Sequence, residues 1–188
     1  GVRDQIVRDL KIPNTDFNLL RAIGGECAGA LSILEAEYQP AVDYEYHKVS
    51  DEELANLVAR RGQVYTWTTN ERPRLSLAGA QDKCPLLVRD STYWLPRKES
   101  PSSHILKFEL SDYRHLPAYE TFTTLLAEAI GLPVVDIQLR SIADTHYALI
   151  KRYDRYKLES GQIARLHQED FCQALGFGHD LLHVENHV

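Results

Sequence analysis

In SDEELANLVARRG, residues 50–62, apolar Leu54, Leu57 and Val58 recur at helical spacing, so one stripe of a helix faces a core. Ser50 and Glu53 stand three apart at its start, the spacing of a capping box, and Gly62 closes it. TDFNLLRAIG, 15–24, reads as a shorter helix with Thr15 or Asp16 as cap, Phe17, Leu20 and Ile23 on one face, and Gly24 and Gly25 as stop. In PAYETFTTLLAEAIG, 117–131, Pro117 opens a helix, Phe122, Leu125, Leu126 and Ile130 are expected inside, and Gly131 ends it. LHQEDFCQALG, 166–176, predicts a last helix. Elsewhere the apolar positions cluster in short runs. CAGALSIL, 27–34, suits a buried strand or a tight helix–strand junction. CPLLVRD and TYWLP predict a hairpin around Arg89–Thr92, and HILKFEL, 104–110, a strand after the loop KESPSS. VVDIQLRSI and HYALIKRYD predict antiparallel strands joined by a turn at Ala143–Thr145.

The polar stretch TTNERPR, 68–74, marks a boundary, dividing the chain into 1–70, 71–176 and a tail at 177–188. From residue 75 the order is loop, three strands, helix, two strands, hinge. That is the order of a protein-kinase small lobe, an α+β architecture of antiparallel sheet plus helix, though many α+β folds share it.

Composition narrows the functional classes. With 44% hydrophobic and 26% charged residues, the 188-residue chain has the balance of a globular protein of one domain or two small ones. A net charge of −6 gives no reason to expect direct nucleic-acid binding. Cys27, Cys84 and Cys172 are odd in number and form no CxxC pair, the pattern of reduced cytoplasmic thiols rather than a zinc knuckle or disulfide framework. No apolar run reaches the roughly 20 residues a membrane span needs, and no signal peptide opens the chain. A first residue of Gly1 and the absence of methionine predict a processed fragment.

Two stretches carry candidate chemistry. In LSLAGAQDKCPLLV, 75–88, small residues let the backbone approach an anion, Gln81 can donate and Lys83 adds charge. The stretch fits neither familiar glycine-rich phosphate pattern, and on residue types alone a plain turn is favoured. Lys107 sits mid-strand among Ile105, Leu106 and Phe108, either solvated on an edge or held for a purpose. Kinases position such a lysine with an acid on the next helix, here Glu120, with Asp112 and Glu128 as competitors. His179, His183 and His187 share four-residue spacing, but a terminal segment suits a solvated tail better than a metal site.

Taken together, RLSLAGAQDKCPLLV, PSSHILKFE, IKRYDR and RLHQEDFCQALG, in that order, resemble the HipA family, bacterial serine/threonine kinases of type II toxin–antitoxin modules. The resemblance implies that Leu77, Ala78, Gly79, Ala80, Gln81, Asp82 and Lys83 form the family's phosphate loop, and that Ser76 is the autophosphorylated serine that switches the kinase off. Where some relatives have a second serine, this chain has Ala78. Lys107 corresponds to the lysine that contacts ATP, Lys151 and Tyr153 to the hinge that meets the adenine, and Gln168 to a glutamine near the ribose; relatives often carry an acid in place of Lys151. Residues 15–34 resemble part of the family's N-terminal subdomain, without its opening strands.

The implied activity is that of a cytoplasmic protein-serine kinase using ATP and Mg²⁺. It is linked to persistence, with glutamyl-tRNA synthetase as the family's best-known target and a DNA-binding HipB-like antitoxin as partner. The family's Asp-x-x-x-x-Asn catalytic loop and metal-binding Asp do not follow Gly176, so no catalytic residue or metal ligand is assigned and the chain alone is expected to be inactive. Were it to transfer phosphate, Asp154, Asp170 and Asp180 are the acids to consider as base. The alternative is a non-catalytic module that docks on an antitoxin or kinase and regulates it.

Overall fold

The computed structural model describes residues 2–25, 27, 29–39, 43–61, 83–110 and 114–176. Its centre is an antiparallel sheet built from hairpins. Strands β2 (Lys83–Arg89) and β3 (Thr92–Pro96) are joined by Asp90 and Ser91, both left-handed at φ 48° and 58°. Strands β5 (Ile137–Ile142) and β6 (Thr145–Lys151) are joined the same way by Ala143 and Asp144, at φ 46° and 62°. Two successive left-handed residues twist a two-residue turn to match the strands it joins. Strand β4 (His104–Phe108) lies between the hairpins, and β1 (Tyr46–Lys48) adds to the outer edge of β3, giving the order β1-β3-β2-β4-β6-β5.

One sheet face is covered by α3 (Asp51–Ala59). Its Leu54, Leu57 and Val58 pack in one cluster with Cys84, Leu86, Leu95, Leu106, Phe108, Tyr147 and Leu149, as the helical stripe predicts. The capping box forms: Ser50 N–H donates to Glu53 Oε2 at 2.8 Å and Glu53 N–H to Ser50 Oγ at 3.2 Å. Thus β1 and α3, from the part of the sequence before the 68–74 boundary, join the sheet and core built after it.

Helix α4 (Leu116–Ala129) lies against β4, β5 and β6, and corrects an expectation. Phe122 and Ile130 are 66% and 71% exposed, and Leu125 and Leu126 are exposed as well. The stripe turned inward holds Pro117, Glu120, Thr121 and Thr124 instead. Polar residues serve there because Thr121 and Thr124 hydroxyls each donate at 2.8 Å to the carbonyl four residues back, leaving their methyls to pack.

Helix α2 (Asp16–Ile23) forms as predicted, with Thr15 accepting from Asn18 N–H. Residues 27–34, in contrast, contribute no strand among those described: Gly29, at φ +67°, turns the chain, and Ile33 N–H returns to Gly24 O at 2.7 Å. The predicted last helix shrinks to α5 (Phe171–Ala174), capped by Asp170 and Gln173. Helix α1 (Val2–Leu10), with Val2, Ile6 and Leu10 at helical spacing, and the hairpin of β7 (Arg155–Lys157) and β8 (Ile163–Arg165) add to the expected elements. The KESPSS loop is largely interior, with Glu99, Ser100, Pro101 and Ser102 all buried. Among the described residues, no helix is long and apolar enough to cross a membrane.

Candidate functional site

Side chains alternate between the faces of a strand, and residues directly opposite in an antiparallel pair share a face. Lys83 stands opposite Lys107, and Lys107 opposite Ala148; Pro85 stands opposite Ile105, and Ile105 opposite Ile150. The sheet face away from α3 therefore has two ammonium groups at one end and an apolar floor of Pro85, Ile105, Ala148 and Ile150 beyond them. Adjacent like charges are unfavourable on a sheet unless a counter-charge joins them. Pro85 and Ala148 are fully buried and Ile150 is 8% exposed, so what this face leaves partly open is the Lys83–Lys107 end and Ile105.

Glu120 supplies the counter-charge to Lys107. Its Oε1 is in a short ion pair with Lys107 Nζ, the two side chains being 23% and 28% exposed. The pair forms because Glu120 lies on the inward stripe of α4, whereas Glu128, more than two turns on, is exposed. Asp112 lies outside the described residues. Glu120 Oε2 is buried with no hydrogen-bond partner among the described residues. The residues read as a phosphate loop, Leu77, Ala78, Gly79, Ala80, Gln81 and Asp82, also lie outside them, as do Ser76 and the His179–His187 tail.

The hinge lies at the opposite end of β6. Lys151 is exposed and its N–H donates to Asp136 O at 2.8 Å, while Arg152 N–H donates to Ser103 O at 3.0 Å. Both amides are thus engaged by the chain itself, and what the hinge presents outward is the Tyr153 ring, 70% exposed. His104 lies across from Lys151 on β4. Burial pushes its imidazole below the ordinary range, Asp136 opposes this and Lys151 adds to it. A neutral ring fits its partner, the Ser103 hydroxyl at 2.8 Å from Nδ1.

Behind the hinge is a cluster that sequence reasoning missed. Arg152, Asp154 and Arg155 are each at least 95% buried. Arg152 grips Asp154 with two nitrogens, Nε to Oδ1 at 2.9 Å and Nη2 to Oδ2 at 2.7 Å, and Arg155 Nη1 reaches Oδ2 at 2.7 Å. Gly29 N–H donates to the same oxygen at 2.9 Å. Burial pushes the Asp154 carboxyl up, but Arg152's hydrogen bonds and charge, the Arg155 charge and the Gly29 N–H outweigh it and hold the group below its ordinary range. Asp154 is therefore a poor general base, and Asp170 is spent as a helix cap; Asp180 lies outside the described residues. The string KRYDR looks like a solvated charge run, and only its position directly after the buried run Tyr147, Ala148, Leu149 and Ile150 hinted otherwise.

Gln168 stands on the other side of Gly29. A Cβ at Gly29 would lie 2.9 Å from Gln168 N and 3.3 Å from Gln168 Cγ, so only glycine permits this approach. Gln168 Oε1 is buried without a partner among the described residues.

Residues 75–185 match the family described as HipA-like C-terminal domain. A protein of Sinorhizobium fredii described as "Putative kinase Y4mE" is 36% identical over 169 residues, which cover 87% of this chain and 40% of that protein. The serine/threonine-protein kinase toxin HipA of Shewanella oneidensis is 29% identical over 177 residues, covering 93% of this chain and 40% of the relative. A solved complex of Shewanella oneidensis HipA, HipB and operator DNA contains a chain that superposes with a TM-score of 0.74 at 28% identity, over 93% of this chain and 41% of that one. This chain thus spans about two fifths of the length of each relative. With more than half of its residues in that family match and the same fold beneath them, the chain belongs to the HipA family.

Proposed function

We propose that this chain is the nucleotide-facing lobe of a HipA-type serine/threonine kinase toxin. The observation that carries the reading is the Lys107–Glu120 pair, a lysine held on the sheet by a carboxylate from the neighbouring helix and set beside Lys83. Transfer of a phosphoryl group depends on positioning and on neutralising charge, and a lysine anchored by an acid does both for the phosphates of ATP. The adenine would lie by Ile105, toward Lys151 and Tyr153. The unpaired Gln168 amide oxygen would accept from a ribose hydroxyl. Residues 77–82 would close over the phosphates, with Ser76 as the serine whose phosphorylation shuts the site.

The longer protein would transfer the γ-phosphoryl to a protein serine, with a tRNA synthetase as the family's precedent, in the cytoplasm and under restraint by a HipB-like antitoxin. The net charge of −6 favours leaving DNA contact to that partner. Among the described residues, no three His, Cys, Asp or Glu side chains could hold a metal ion. Mg²⁺ would be held by acids of the longer protein. The test is label transfer from radiolabelled ATP by the full-length protein and by its Lys107→Ala variant. We expect transfer by the former, at least 100-fold less by the variant on the order-of-magnitude scale of such electrostatic groups, and none by the 188-residue chain alone. Near-normal transfer by Lys107→Ala would remove the assignment.

A further inference from the structure

The cluster behind the hinge touches three parts of the chain that are far apart in sequence. Asp154 receives Gly29 N–H, as above, and Arg155 returns the contact: Nη1 donates to Gly29 O at 2.9 Å and Nη2 to Cys27 O at 3.1 Å. Arg152 Nη1 donates to Ser102 Oγ at 2.9 Å, which fixes the buried loop ahead of β4. Asp154 O accepts from Leu166 N–H at 2.9 Å, and two residues later Gln168 rests on Gly29. Tyr153 is thus flanked on both sides by immobilised residues, and Gln168 is backed by a turn that the same carboxylate holds.

We infer that the Arg152–Asp154–Arg155 cluster and the 27–29 turn form a clamp by which the N-terminal part of the chain sets Tyr153 and Gln168 for the nucleotide, with Asp154, Arg155 and Gly29 as positioning residues. The inference rests on the nucleotide reading above. Burial argues for it. Removing three ionic side chains from water costs several kcal/mol per ion before their attraction repays it, so a cluster like this is a poor device for stability alone. It is a good device for direction, because the planar fork of arginine fixes angles as well as distances. The Gln168 oxygen argues for it as well: a buried acceptor with no donor among the described residues is one that a ligand can serve, and the clamp holds that acceptor in place.

Arg155→Lys tests the coupling most directly. Lysine keeps the positive charge beside Asp154 but cannot bridge the carbonyls of Cys27 and Gly29, so the segments lose their alignment without an uncompensated buried charge. Asp154→Glu, which keeps the buried anion but moves its oxygens by one methylene, is the second variant should the first fail to fold. Each is compared with the unmodified full-length protein for ATP affinity by titration calorimetry, for KM and kcat in label transfer, and for melting temperature. A clamp raises the ATP Kd and KM on the order of tenfold, the size of one lost hydrogen bond to the ligand, while kcat at saturating ATP falls less than threefold because Lys107 and Glu120 are untouched. A lower melting temperature with unchanged Kd and KM in the folded variants would overturn the clamp and leave the nucleotide reading standing. Failure of the unmodified protein to bind ATP would overturn both.

Discussion

Two ionic groups flank the proposed cleft, and they are built differently. At one end, Lys107 and Glu120 are about three-quarters buried, and one carboxylate oxygen has no partner among the described residues. At the other, Asp154 is almost wholly buried and both of its oxygens accept, one of them three times over. A pair with unused capacity at a cleft edge can exchange partners when an anion arrives. A carboxylate saturated by the protein cannot, and its interactions can only hold the chain. The same residue types are thus proposed to serve recognition in one place and geometry in the other, and the count of satisfied lone pairs separates the two.

The largest break in this comparison should come from Asp154→Ala. It leaves two buried guanidinium groups without their anion, a change that costs about 3–5 kcal/mol. The midpoint of urea unfolding should fall accordingly. A loss under about 1 kcal/mol, the scale of an exposed pair, would mean the cluster is wetter than its burial indicates.

A smaller effect is expected from pH, with the two ends of the hinge separated by range. His104 is held below its ordinary 6.5, so between its folded and unfolded values the unfolded chain binds more protons. Its contribution is present above 6.5 and lost as pH falls from there toward the folded value. Asp154 is held below its ordinary 3.8, so its contribution is present above that value and lost only as pH falls below it. Urea melts across pH should show two declining steps on acidification, and His104→Phe should remove the upper one alone. An upper step that survives His104→Phe belongs to another group.

The smallest stability change is expected at the pair proposed to bind ligand. Lys107→Ala should cost within about 1 kcal/mol, since the attraction of a partly exposed pair is offset by the entropy of holding it. High salt should shrink that difference further. A cost rivalling that of Asp154→Ala would make the Lys107–Glu120 pair a structural lock and erase the contrast.

Much of the lobe was legible because its determinants are local. The Ser50–Glu53 cap, the turns at Asp90–Ser91 and Ala143–Asp144, and the stripe of Leu54, Leu57 and Val58 each lie within a few residues. The Lys107–Glu120 pair spans one strand-to-helix step and was the first of the alternatives considered. The hidden features depend on distant partners. The side of α4 that turns inward is decided by β4, β5 and β6, and a stripe of Pro117, Glu120, Thr121 and Thr124 announces nothing in a hydropathy pattern. Strands β1, β7 and β8 have three residues each, too few to show a period. Nothing near Asp154 in sequence reveals that its fourth donor is Gly29.

The bond between Gly29 and Asp154 spans 125 residues. A ribosome adds about 5–20 residues per second, so the turn at Gly29 is made roughly 6–25 s before the carboxylate that will bind it. Over that interval the carbonyls of Cys27 and Gly29 lack the Arg155 guanidinium that later donates to them. Hairpins such as β2–β3 close within about 10 μs of being made. The clamp therefore forms later than the β2–β3 hairpin on a growing chain, and translation that pauses before residue 154 leaves the 27–29 turn without the side chains that hold it.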